Sequence, residues 1–153
     1  ERSSIAGAPQ MRRNINKLVN KAKNVFHGDT PVADDPTFKA KVAQFMLDLD
    51  ALEMTELRGL AAQREGKSPG PESSLLKIKG TELQQRITSL AVELAGHEAM
   101  PYGGPYGFTD IEVAAEKSAQ QSAPKYLNFR KVTIYGGTNE IQKNIIAKAV
   151  LGI

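Results

Sequence analysis

Three rows of apolar residues, each with helical spacing, limit what this chain can become. Between Ile5 and Phe26, the residues Met11, Ile15, Leu18, Ala22 and Val25 step by 4, 3, 4 and 3. That spacing puts them on one face of an amphipathic helix. Arg12, Arg13, Lys17, Lys21 and Lys23 take the other positions. Phe38, Val42, Phe45, Leu49 and Leu52 repeat the same steps, and Leu57 and Leu60 extend the row as far as Glu65-Gly66. The third row is Leu76, Gly80, Leu83, Ile87, Leu90 and Leu94, and Gly96 ends it. Gly80 lies on the apolar face, where a missing side chain lets two helices approach closely. The joints are equally explicit. His27-Gly-Asp-Thr-Pro-Val-Ala breaks the first pattern, and Asp34-Asp35-Pro36 then offers a capping carboxylate with proline at the first helical position. Ser68-Pro-Gly-Pro-Glu72 is a short turn, with Pro71 suited to open the next helix.

The remainder is less regular. From Gly96 to Gln121 the pattern fails, and Met100-Pro-Tyr-Gly-Gly-Pro-Tyr-Gly107 cannot continue a helix. A last helical region begins near Ser122-Ala-Pro124 and is interrupted at Gly136-Gly137. It resumes at Thr138 and runs to Ala149 through Ile141 and Ile145. Four long amphipathic segments with two short connections predict an all-α, up-down-up-down four-helix bundle. Composition agrees: 153 residues, 41% of them apolar, suffice for one core, and 6% aromatics without tryptophan argue against a β-sandwich. We expect one domain over residues 1–153. The chain opens on Glu1 rather than Met, in what reads as helix, so a piece of a longer protein is expected. No apolar run reaches the ~18 residues of a membrane span. With no cysteine, disulfides, thiolate zinc sites and a cysteine nucleophile are excluded, and a reducing cytoplasm is permitted.

Most candidate chemistry has a plain explanation. His27 and His97 lie far apart without metal-ligand spacing. Asp48, Asp50, Glu53 and Glu56 lie largely off the apolar row and lack an accompanying Glu-x-x-His, so no metal site is expected. The basic residues of the first helix have no interleaved aromatics, and a solvated face is favoured over a nucleic-acid footprint. One segment differs: Ile134-Tyr-Gly-Gly-Thr-Asn-Glu-Ile-Gln142. Its two glycines allow close backbone approach, and Thr138 can cap the following helix. The N-terminus of that helix favours an anion such as a cofactor pyrophosphate. A plain interhelical turn would use the same residues.

The stretch Tyr135-Gly-Gly-Thr-Asn-Glu-Ile-Gln-Lys-Asn-Ile-Ile-Ala147 resembles the C-terminal signature of the acyl-CoA dehydrogenases. The opening Glu1-Arg2-x-x-Ile5-Ala6 is similar to the start of that family's C-terminal helical domain. Pro69-Gly-Pro-Glu-x-Ser-x-Leu-Lys77 and Gly80-Thr-Glu-Leu-Gln84 resemble one bacterial branch. The resemblance spans essentially the whole chain. It implies a flavoenzyme that uses FAD to oxidise an acyl-CoA thioester to its trans-2-enoyl form. In many members a glutamate directly after the signature tyrosine is the base; here that position is Gly136, which cannot act as one. A second group of members places the base immediately before an arginine in the first helix of this domain, and that position is Glu1, followed by Arg2. The resemblance thus assigns Glu1 as the catalytic base, Gly137, Thr138 and Glu140 to FAD, and Arg2 and Tyr135 to the substrate side. It implies an electron acceptor, and a homodimer or homotetramer packed through this domain. Two departures stand out. Val25-Phe-His-Gly-Asp29 replaces an Arg-x-x-Phe-Gly segment that meets the adenosine end of FAD, and Glu93-Leu-Ala-Gly-His97 stands where relatives carry Gln-x-x-Gly-Gly. They imply fewer cofactor contacts, or contacts made differently through the neighbouring subunit. The alternative is a non-catalytic helical module of the same ancestry, serving oligomerisation or partner binding.

Overall fold

The computed structural model describes residues 7–68, 70–100 and 117–152. Helix α1 (Ala8–Ala22) starts after Gly7, whose φ of 53° is left-handed, and buries Met11, Ile15 and Ala22. It is shorter than its apolar row. Val25 and Phe26 leave the helix because the chain folds into a small antiparallel hairpin, β1 (Phe26–His27) with β2 (Thr30–Pro31). Gly28 turns that hairpin with φ 61°, and the Val32 N–H donates to the Val25 carbonyl at 2.8 Å. Val32 then enters the core.

Helix α2 (Pro36–Arg64) starts where the capping signal places it. One Asp35 carboxylate oxygen accepts from the Thr37 and Phe38 N–H groups at 2.6 and 2.9 Å, and Pro36 occupies the first helical position. These bonds, that from Phe38 foremost, hold the Asp35 carboxyl below its ordinary pKa. Phe38, Phe45, Leu49 and Leu52 are buried, but Leu57 and Leu60 are 58% and 45% exposed. The row therefore outruns its partners: the last turns of α2 extend past the core.

Helix α3 (Glu72–Ala95) is the central element. It contacts α1 and α2 through Leu76, Leu83, Ile87, Leu90 and Leu94, and it also packs against α5 (Ser122–Phe129) and α6 (Asn139–Leu151). Gly80 is buried within it, and Gly96 ends it at φ 55°. The short α4 (Lys117–Gln120) precedes α5, and a 3₁₀ turn over Arg130–Thr133 follows it. The fold is the expected all-α bundle. Its fourth segment is divided at Gly136-Gly137, as the sequence indicates. Met11, Ile15, Leu49 and Leu83 are the largest fully buried side chains and tie α1, α2 and α3 together.

Charge closes the outer seams. Arg12 of α1 forks onto Glu53 at 2.6 and 3.2 Å and reaches Asp50 at 2.6 Å, while Arg86 of α3 pairs with Asp48 and lies over the Phe45 ring. Asp48, Asp50 and Glu53 of α2 thus serve helix–helix pairing. Among the described residues, no helix is long and apolar enough to cross a membrane.

Candidate functional site

A polar row on α3 builds the site. Ser74, Lys77, Thr81 and Thr88 are buried beside the apolar row, and Gln85 is half-buried in line with them. Residues three and four apart share a helix face, so this row forms one strip. The strip lies against the chain from Phe129 to Asn139. Gln85 Nε2 donates to the carbonyls of Phe129 and Arg130 at 3.3 and 3.1 Å, and the Arg130 guanidinium donates back to the Gln85 carbonyl at 2.9 Å. Arg130 also stacks on Tyr126, 4.2 Å from the ring centroid. Lys77 Nζ donates to the Thr133 carbonyl at 3.0 Å and to Asn139 Oδ1 at 2.9 Å. Among the described residues, no buried side-chain nitrogen or oxygen lacks a hydrogen-bond partner.

Between Thr133 and Asn139 the chain reverses on two glycines. Gly136 has φ 71° and Gly137 has φ 89°, a pair of left-handed residues that side chains other than glycine rarely tolerate. A Cβ at Gly137 would stand 2.6 Å from Gln142 Nε2. Gln142 is buried and its Nε2 donates to the Gly136 carbonyl at 3.1 Å, so it has little room to give way. Thr138 then caps α6, its hydroxyl accepting from the Ile141 N–H at 3.3 Å.

The electrostatics of the turn are set by two ions. Glu140 is exposed; its own backbone N–H, then the Thr138 hydroxyl, hold its carboxyl below the ordinary glutamate value. That carboxylate occupies the favourable end of the α6 dipole. Burial pushes the Lys77 ammonium below the ordinary lysine value, and the field of Glu140 partly opposes this.

The structure brings Tyr135, Gly137, Thr138 and Glu140 into one surface turn. Tyr135 is 55% exposed, and both glycines present bare backbone to solvent. Glu1 and Arg2 lie outside the described residues, so their relation to the turn is not seen. These features fit a cofactor that meets main-chain groups and a hydroxyl at close range, because no side chain shields the glycines. Glu140 is the local restraint: an incoming phosphate would have to displace its exposed carboxylate from the helix end.

The two segments that depart from the family pattern come together. His27 of the hairpin and Glu93 near the end of α3 line one groove of about 290 Å³, with Lys41 and Phe38 of α2 between them. Among the described residues, no arginine lines this groove. Lys77, Asn139, Gln142 and Gln85 hydrogen-bond on or beside the turn, and the sequence motifs do not single them out. Lys77 was visible only as part of a motif. The available signal was the spacing of Ser74, Lys77, Thr81, Gln85 and Thr88, a second row beside the apolar one.

With this geometry in hand, the relatives are informative. The family model for the acyl-CoA dehydrogenase C-terminal domain matches residues 1–151. The chain belongs to that family. Acyl-CoA dehydrogenase IpdE1 of Mycobacterium tuberculosis is 28% identical over 144 residues, covering 92% of this chain and 32% of that protein. This chain thus spans about a third of the length of the curated relatives it matches. Among solved structures, PigA with FAD and proline matches at a TM-score of 0.76 and 18% identity, over 99% of this chain and 36% of PigA. Butyryl-CoA dehydrogenase from Megasphaera elsdenii matches at 0.72 and 19% identity, over 98% and 36%. At these identities the structural likeness is one of fold.

Proposed function

We propose that this chain works as the C-terminal helical domain, residues 1–153, of a longer FAD-dependent acyl-CoA dehydrogenase. The reaction is oxidation of an acyl-CoA thioester to trans-2-enoyl-CoA. The observation that carries this reading is the exposed Gly136-Gly137 turn capped by Thr138, in a chain whose family is that of the acyl-CoA dehydrogenases.

In this reading Glu1 takes the α-proton of the thioester. The α-carbon is weakly acidic, so the base has to be positioned and partly desolvated, and the thioester oxygen has to be polarised. Arg2 and Tyr135 stand on the substrate side. FAD, when bound, supplies the acceptor for the hydride leaving the β-carbon, and a carbon–carbon double bond forms as proton and hydride depart. Gly137 offers main-chain atoms to the cofactor, Thr138 its hydroxyl, and Glu140 a side chain at the start of α6. Gly136 takes no part as an acid or base, having no side chain. A separate electron acceptor would be the partner that takes up the electrons.

Ile141 and Ile145, which the apolar pattern singles out, are 51% and 37% exposed on α6. This outward row supports assembly as a homodimer or homotetramer through the domain. A cytoplasmic location completes this reading. A second reading, a non-catalytic oligomerisation or partner-binding module, is favoured by Gly136 and by the hairpin that stands in place of the adenosine-side arginine.

The test is anaerobic mixing of the purified whole protein with a panel of acyl-CoAs. Yellow protein whose flavin absorbance bleaches with at least one thioester supports the enzyme. A colourless protein that takes up no added FAD supports the module instead.

A further inference from the structure

Lys77 is the buried charged side chain among the described residues, only 3% exposed, and the reaction outlined above gives it no task. Burying an ammonium is costly, and an apolar side chain of similar length would fill the same space. What the charge supplies is a pair of charge-assisted hydrogen bonds. They reach the Thr133 carbonyl, three residues before Gly136, and Asn139 Oδ1, two residues after Gly137. Gly136 and Gly137 have more backbone freedom than any other residues, so a turn built on them has to be fixed from outside. Gln142 fixes it from within α6 through the Gly136 carbonyl. Lys77 fixes both flanks from α3, the helix that every long element packs against. Thr81, one turn along α3, is occupied by carbonyls of its own helix.

We propose that Lys77 is a positioning residue, a clamp that holds the Gly136-Gly137-Thr138 turn in the conformation that meets the cofactor. The inference rests on the cofactor reading of that turn. Lys77 touches neither cofactor nor substrate; it acts through Thr133 and Asn139. The clamp also links turn geometry to the bundle, because moving α3 against α6 breaks the bond to Asn139.

The test uses Lys77→Met, with Asn139→Asp as the variant that keeps an acceptor and Gly137→Val as a control on the turn itself. In the 153-residue chain, amide hydrogen exchange at Ile141 and Gln142 quickens about tenfold or more in Lys77→Met, the loss of charge-assisted bonds being of that order. Exchange at Leu49 in α2 stays unchanged, and Asn139→Asp behaves as the parent. In the flavin-loaded whole enzyme, the FAD dissociation constant rises about tenfold or more in both Lys77→Met and Gly137→Val. Parental exchange at Ile141 and Gln142 in Lys77→Met overturns the clamp. Weaker FAD binding in Gly137→Val but parental binding in Lys77→Met overturns the positioning role and leaves the cofactor reading intact. Parental FAD binding in Gly137→Val overturns the cofactor reading itself. If Lys77→Met loses its helical circular dichroism, Asn139→Ala carries the same test, since it removes one flank of the clamp at the start of α6.

Discussion

Gly137 is where a single atom has the largest local consequence. An alanine there meets a left-handed backbone and places its Cβ against Gln142, whose amide holds the Gly136 carbonyl. Gly137→Ala should destabilise the chain by about 1–3 kcal/mol, read from urea unfolding; a change within error would show that the turn relaxes freely. Asp35 offers a pH-dependent counterpart. Its native pKa is depressed by the Phe38 and Thr37 N–H bonds, so unfolding takes up a proton in acid. The cap's contribution is complete above the ordinary aspartate pKa and is lost as pH falls through the lowered native value. Asp35→Ala should therefore melt below the parent at neutral pH, and the gap should close in acid; a gap that persists in acid would remove the charge from the explanation. At this scale the sequence was highly legible. Asp35-Pro36, Gly96 and Thr138 each announce a helix boundary through backbone chemistry local to a few residues. Lys77 did not, because its acceptors lie 56 and 62 positions away.

At the scale of elements, periodicity found α1, α2 and α3 but could not find where their cover ends. Leu49 and Leu60 belong to the same row of α2, yet Leu49 is 0% exposed and Leu60 is 45%. Leu49→Ala should cost about 2–5 kcal/mol, and Leu60→Ser should stay within about 0.5 kcal/mol; equal losses in denaturant titrations would contradict the observed reach of the core. The row on α6 shows the same limit more sharply. Ile141 and Ile145 face outward, and the side meeting α3 is led by Asn139 and Gln142. An apolar period reports that a face wants burial, without saying whether this chain or another covers it. The β1–β2 hairpin also escaped notice, because two-residue strands carry no periodicity.

At the scale of the whole molecule, family and fold were legible because a long signature and four helical segments agree independently. The site was only partly so. The turn bearing Gly137, Thr138 and Glu140 lies within one stretch of chain and could be read directly, whereas its support from α3 depends on tertiary contacts. Spanning about a third of its relatives' length, this chain alone should show no acyl-CoA oxidation; turnover by the 153-residue chain would refute that expectation. With Gly136 unable to accept a proton, Glu1 is the base we propose. Stopped-flow measurement of flavin reduction by acyl-CoA in the whole enzyme, with and without Glu1→Gln, tests this most directly. Glu1→Gln should keep its FAD and lose flavin reduction by about 100-fold or more. Near-normal flavin reduction in that variant would rule Glu1 out as the base.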